Sequence, residues 1–442
     1  MRGLTVKQGK FWFFFFFVIF LARLGSFSSE IDNYRSFFDR SWSRFIFSEV
    51  FVMKLPYASS VVNVIYPVGL SEEKSNKVGV RYAYFYFVTK NIERKLNEAG
   101  KVCKVNLAVE NDYVNIRLVI PFDYQVSDIL DSVKDYLKFE KIDFDEEEIS
   151  FVYDEVDNYY KFSLNSILWY FRQSIFSSHP YFFLAPGNPK NIPYLRKEDF
   201  EDFAKLGINP YFLVILSYNQ EEKKVYDYIV SNFSKKGSGF KLENFNNDPL
   251  YLDRFYYRKV EIPKSRVFSL ITNNEASYFL YIFTAPEFNK NFNEYVSMLV
   301  IDNFLSDTMD GVIWQELREK RGLIYSVYSE FPLLKYTSYY AIFTSCFHKN
   351  SSKVRNQMNK LIKSPPLDEQ NIFYAKQRLA NKLNFYLSSP ESLSQSLVQA
   401  ILYKDKRISP FYLGDYVFSV SNDIINQTYL KYFGRYYLFI FE

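Results

Sequence analysis

The chain has 442 residues, 48% of them hydrophobic and 20% aromatic, with 47 Phe and 39 Tyr. That length exceeds one ordinary core and implies two to four domains, and the composition argues against a disordered chain. The formal charge of +4 comes from Arg2, Lys7, Lys10 and Arg23, all before residue 29. Without them the charge is zero, and no basic stripe elsewhere suits nucleic acid.

Residues 1–28 read as an export leader: a basic start, the apolar run Phe11–Ala22, then small residues in LGSFSS. Twelve apolar residues fall short of the roughly 20 that span a bilayer, so cleavage after Ser28 and an exported protein, periplasmic or extracellular, are expected. An uncleaved leader would tether it to a membrane. Cys103 and Cys346, 243 residues apart, form no CxxC pair and are expected as buried, unpaired strand cysteines.

Landmarks then recur at an offset of 222–226 residues. FDEEEISFVYDEV from Phe144 has the layout of LDEQNIFYAKQRL from Leu367. EDFEDFAKLGINPYFLVIL (Glu198–Leu216) parallels DIINQTYLKYFGRYYLFIF (Asp423–Phe441), each a helix with apolar spacing of three and four before a hydrophobic strand. DILDSVKDYLKF parallels VRNQMNKLIKS, and the apolar strands SVVNVIYPVG (Ser60–Gly69) and ASYFLYIFTAP (Ala276–Pro286) open the halves. The glycine-punctuated Ser234–Leu250 reads as a linker. The predicted organisation is a domain over 29–233, a linker over 234–262 and a second domain over 263–442. The class is α+β, strand pairs layered with helices, and two such halves can face each other across a cavity.

In the second half, QELREKRGLIYSVYSEF (315–331) predicts a helix over Val312–Lys320 ended by Gly322, then an alternating strand from Leu323 to Phe331. Tyr325 is expected on the face shared by Leu323 and Val327, with Lys335–Phe347 returning as the antiparallel partner. Locally, Arg318 suits a helix C-terminus and Tyr325 a strand, and neither needs a ligand.

The stretch ELREKRGLIYSV resembles the C-terminal-half signature of the M16 metallopeptidases, the insulinase or mitochondrial-processing-peptidase-like family. YVSMLVIDNFLSDTMDGVIWQELREKRGLIYSVYS is similar to that family's helix–helix–strand unit, and His179–Phe203 to the segment closing its first half. The resemblance implies two homologous MPP/LuxS-like metallohydrolase domains in a clamshell enclosing a peptide chamber. It also implies that Arg318 and Tyr325 bind substrate backbone near a zinc site on an opposing domain. Their chemistry suits the role: a planar guanidinium fork for a carbonyl or carboxylate, and a phenol donor for a forming oxyanion.

Active members carry HxxEH on a first-half helix, and the matching place here is GVRYAYFYF (Gly79–Phe87). Tyr82 and Tyr86 stand where the histidines would be and Phe85 where the glutamate would be. A neutral phenol is a poor zinc ligand, and a benzyl group cannot accept a proton. Glu155, 69 residues after Tyr86, matches the distal acid but reads more simply as a solvated helix-face residue. The only histidines, His179 and His348, fall in different halves without ligand spacing, and no GxSxG elbow or P-loop is present.

The resemblance therefore implies a non-catalytic subunit with no cofactor of its own, supplying Arg318 and Tyr325 to a zinc-bearing M16 partner that carries HxxEH. A peptide-binding or assembly protein with no part in hydrolysis is the alternative. A third reading, hydrolysis through another metal arrangement, requires ligands that the chain does not visibly supply.

Overall fold

The computed structural model describes residues 33–140, 143–176, 179–233, 262, 264–270, 275–307, 309–365 and 367–442. The leader over 1–28 and the linker sequence 234–250 lie outside the described residues. Strands β1 (Val50–Lys54), β2 (Ser60–Tyr66), β3 (Lys104–Val109), β4 (Val114–Ile120) and β5 (Tyr211–Leu216) form one sheet, in the order β1-β5-β2-β4-β3. Strands β6 (Arg266–Leu270), β7 (Ala276–Thr284), β8 (Ser326–Glu330), β9 (Tyr339–Phe347) and β10 (Tyr437–Phe441) form a second, in the order β6-β10-β7-β9-β8.

The two orders are the same topology. In each sheet the first strand pairs parallel with the last, and the remaining pairs are antiparallel. Tyr211 and Tyr437, which open β5 and β10, are 226 residues apart, at the upper end of the offset read from the sequence. Each half begins one strand earlier than the periodicity indicates, at β1 and β6. These five-residue strands gain their place only by pairing with β5 and β10 at the far end of each half.

The first half contributes helices α1 (33–48), α2 (Val80–Glu98), α3 (Val126–Leu137), α4 (Ile149–Lys161), α5 (Ser163–Ile175), α6 (Lys197–Ala204) and α7 (Glu222–Phe233). The second contributes α8 (Phe292–Ser306), α9 (Ser351–Lys363), α10 (Glu369–Phe385), α11 (Pro390–Tyr403), α12 (Pro410–Ser419) and α13 (Asn422–Phe433). Both faces of each sheet are covered. That is why β2, β5 and β10 are buried from end to end, where a one-sided sheet would alternate.

Each half lends a helix to the other. Val52, Val62, Val64, Ile116 and Phe212 belong to a core shared with α2, α3 and α7 of their own half. Phe51, Met53, Ile65, Leu213 and Ile215 point the opposite way, into a core shared with Phe38 and Phe45 of α1 and with Leu393, Leu397 and Ile401 of α11. Helix α11 lies against β2 and β5. Reciprocally, α5 covers the far face of the second sheet. Tyr170 packs edge-on to Phe439 and Phe441, with ring centroids 5.8 and 5.6 Å away, and Phe171 packs against Tyr339 at 5.3 Å. The space between the halves is therefore filled by core side chains at this joint.

Burying an aromatic side chain stabilises by roughly 1.5–3 kcal/mol, so a handful of these contacts outweighs any tether. Cleaving the chain between residues 233 and 262 is expected to leave two fragments that co-elute as one species in size-exclusion chromatography. Two separate peaks of fragment size would show that the exchanged helices do not hold the halves together.

Candidate functional site

The helix that carries the degenerate motif is held at its start. Gly79 caps α2 with φ +113, a left-handed conformation that favours glycine. The backbone of Gly187 approaches it so closely that a Cβ at 187 would lie 2.5 Å from the Gly79 Cα. The buried carboxylate of Glu73 accepts the N–H groups of Gly79 (2.8 Å) and Arg81 (3.0 Å). Arg81, with no exposed surface, donates to the carbonyls of Glu110 (2.7 Å) and Ala185 (2.8 Å). This clamp fixes which way the next turn points.

On that turn, Tyr82 and Tyr86 are half-buried and share one face, while Phe85 is fully buried. The Phe85 ring packs among Tyr66 (4.8 Å) and Phe139 (5.6 Å). Burial, and then the nearby Glu155 carboxylate on α4, push the Tyr82 phenol far above its ordinary range. Tyr86 is raised by burial and has Lys90 over its ring at 5.7 Å. The structure thus brings together three of the four positions singled out in the first half. Glu155 is exposed, as a helix-face acid should be, and its charge raises both phenols, a proximity that the sequence does not reveal.

This donor set does not fit zinc. Two neutral phenols and one carboxylate fall short of three ionised or imidazole ligands, and Phe85 offers no base. Among the described residues no three His, Cys, Asp or Glu side chains cluster as a metal site.

In the second half, the segment read as a helix over Val312–Lys320 begins α-helical at Val312 and Ile313 and widens into a π turn at Trp314–Glu319. The Lys320 N–H bonds the Gln315 carbonyl five residues back (3.1 Å), and the Leu323 N–H bonds Leu317 (2.8 Å). Gly322 ends the turn at φ +58, the left-handed conformation expected of it. Such turns occur frequently at functional sites.

Arg318 is exposed, donates to the Ile324 carbonyl (2.8 Å) and lies 6.0 Å from the Trp314 ring centroid. Tyr325 is 41% exposed, edge-on to Phe347 at 4.7 Å, and within electrostatic reach of Arg318. The pair is adjacent. The expected alternation is broken, however. Ile324 and Val327 are the buried residues, three apart, so Tyr325 does not share the buried side of Val327. Ser326–Glu330 pairs antiparallel with β9 as anticipated.

Among the described residues no hydrogen bond, ion pair or ring contact joins Arg318 and Tyr325 to the Tyr82–Glu155 group. Between the two lies a junction that the sequence concealed. Arg172 of α5, 4% exposed, donates to Asn111 Oδ1 (2.8 Å), the Phe183 carbonyl (2.9 Å) and the Tyr339 hydroxyl (3.4 Å), and Tyr339 donates to Glu330 (2.8 Å). Tyr159, one turn beyond Glu155, is within electrostatic reach of Arg172, Glu330 and Tyr328. The one available signal was that Arg172 is the single charged residue of the helix SLNSILWYFRQSI.

His179 is buried, and its Nδ1 accepts the Tyr181 N–H (3.1 Å); His348 is exposed, with Nδ1 3.2 Å from Ser277 Oγ. Both cysteines are free. Cys346 is buried within β9, but Cys103 is only partly buried and precedes β3, unlike the buried strand position expected.

Residues 194–379 match the family model described as the peptidase M16 inactive domain, a span that takes in Arg318 and Tyr325. No curated protein matches the chain. A protease from Helicobacter pylori shares its fold with a TM-score of 0.71 at 14% identity, covering 89% of this chain and 96% of that one. A peptidase M16 inactive domain from Pseudomonas fluorescens aligns with a TM-score of 0.67 at 13% identity, over 89% and 95%. A chain of Complex III2 from Candida albicans aligns with a TM-score of 0.66 at 14% identity, over 88% and 92%.

If Glu155 stands at a lost ligand position, Tyr82→His with Tyr86→His should create a three-ligand site. Metal analysis is expected to find one retained zinc in the double variant, lost when Glu155→Gln is added. No retained zinc would place Glu155 outside ligand reach.

His179 gives a second prediction. Burial, then the charge of Arg172, lower its pKa to about 4, while the unfolded value is about 6.5. The unfolded chain therefore binds the extra proton between those values, and stability present above pH 6.5 is lost as pH falls toward 4. Relative to His179→Asn, the wild type should lose up to about 3 kcal/mol between pH 7 and pH 4 in denaturant titrations. Parallel pH profiles would contradict this.

Proposed function

We propose that this chain, an M16-type protein by its match over 194–379 and by its fold, is a non-catalytic subunit that binds peptide and serves a zinc-bearing M16 partner. The observation that carries this reading is the exposed pair Arg318 and Tyr325, set against first-half positions that offer only phenols and a benzyl group. Phe85 stands buried at the place of the base, while Arg318 and Tyr325 remain exposed and adjacent for use by another molecule. In this reading the zinc belongs to the partner, which carries HxxEH.

The outward side of α4 supports a docked partner. Phe151 and Phe162 are each 64% exposed, and Tyr159 at 41% lies between them in sequence. Exposed aromatic groups of this kind mark interaction surfaces. The leader composition supports action outside the cytoplasm. A second reading, an assembly subunit without a part in hydrolysis, is favoured by the likeness to a chain of a multi-subunit complex.

An affinity pull-down of the full chain from its native cell envelope is expected to recover an HxxEH protein. In the recovered complex, Arg318→Ala should lower peptide hydrolysis by about 10² or more, the scale of a lost transition-state donor. Hydrolysis unchanged in an intact complex would remove the role assigned to Arg318 and favour assembly alone.

A further inference from the structure

The far face of the first sheet, opposite α2, carries polar residues where a core is expected. Asn63 on β2 and Asn115 and Arg117 on β4 interrupt the apolar runs SVVNVIY and VNIRLVI, and all three point away from the side that buries Ile116 and Leu118. Asn63 is opposite Arg117 in the register. The Asn63 Oδ1 accepts from Asn115 Nδ2 (3.0 Å) and from Arg117 Nε (3.1 Å). That leaves Asn63 Nδ2 and Asn115 Oδ1 buried without a hydrogen-bond partner, on side chains 0% and 2% exposed. An unsatisfied buried polar group costs about 1–3 kcal/mol, and a water or a ligand group can supply the missing contact.

Beside them is a pocket of about 340 Å³, lined by Lys104 and Asn106 of β3, Asn115 and Arg117 of β4, and Glu391 and Gln395 of α11. Arg117 is half-buried. Its Nε is committed to Asn63, and its terminal nitrogens have no hydrogen-bond partner among the described residues. The first turn of α11 supplies Glu391 and the positive end of the helix dipole. The volume is at the small end of ligand pockets, and its walls alternate cationic donors with carbonyl and carboxylate acceptors.

We infer that this pocket binds a carboxylate with an N–H donor one carbon away: the carboxylate on Arg117 and Lys104, the N–H on Asn115 Oδ1. A free α-amino acid and the last residue of a peptide both present that chemistry. A guanidinium suits a planar carboxylate, and Glu391 is placed at the same pocket for an ammonium group if the ligand carries one. The site is separate from Arg318, Tyr325 and the Tyr82–Glu155 group, so it stands whether or not the chain serves a zinc-bearing partner.

The test is calorimetric titration of the full chain with three probes: alanine, N-acetylalanine and N-acetylalanine amide. Binding of at least one of the first two, and none of the amide, is expected. Tighter alanine identifies a free amino acid and tighter N-acetylalanine a peptide terminus. Arg117→Gln should weaken the bound probe about tenfold or more, the effect of losing a charge-assisted hydrogen bond. Should that variant misfold, the exposed Lys104→Ala, with its melting temperature unchanged, is read instead and should weaken binding severalfold. Glu391→Gln should weaken alanine and spare N-acetylalanine. No heat from either carboxylate at millimolar concentration, equal binding of the amide, or a high-resolution structure with only ordered water between Asn63 and Asn115 in the presence of probe would overturn the assignment.

Discussion

The exchange of α5 and α11 is the constraint on which the rest of this molecule depends. A sheet needs cover on both faces, and neither half supplies enough helix to cover its own. Each borrows the missing layer, so the two cores close only together. The same exchange makes surfaces that neither half could have alone. The Arg172 junction exists because α5 crosses to the second sheet, and the polar pocket exists because α11 roofs the first.

Sequence reading succeeded where a signal is local or repeats. The order of landmarks and their spacing exposed the duplication, since strands such as YFLVIL and YLFIF are unbroken apolar runs. Gly322 was legible because a left-handed helix end has few alternatives to glycine.

What escaped was tertiary. Strands β1 and β6 have five residues each and become strands by pairing with the last strand of their half. Tyr82 and Glu155 are 73 residues apart, and their proximity follows from how α2 and α4 pack. The alternation assigned across Tyr325 failed because the strand starts only at Ser326, so the residues before it follow the turn. Asn63, Asn115 and Arg117 were visible as polar interruptions in buried strands, but only the fold places them around one pocket.

The widened turn at Trp314–Glu319 has a consequence for how this motif tolerates change. A π turn accommodates one residue more than an α-helical turn, and each residue of an α-helix advances the side-chain direction by about 100°. Loss of a single residue there would let the segment rewind as ordinary helix and turn the guanidinium at 318 toward a different quadrant, with no effect on composition or charge. The direction in which this arginine reaches is thus stored in a local miscount of the backbone, which makes the segment sensitive to deletions that a neighbouring loop would absorb.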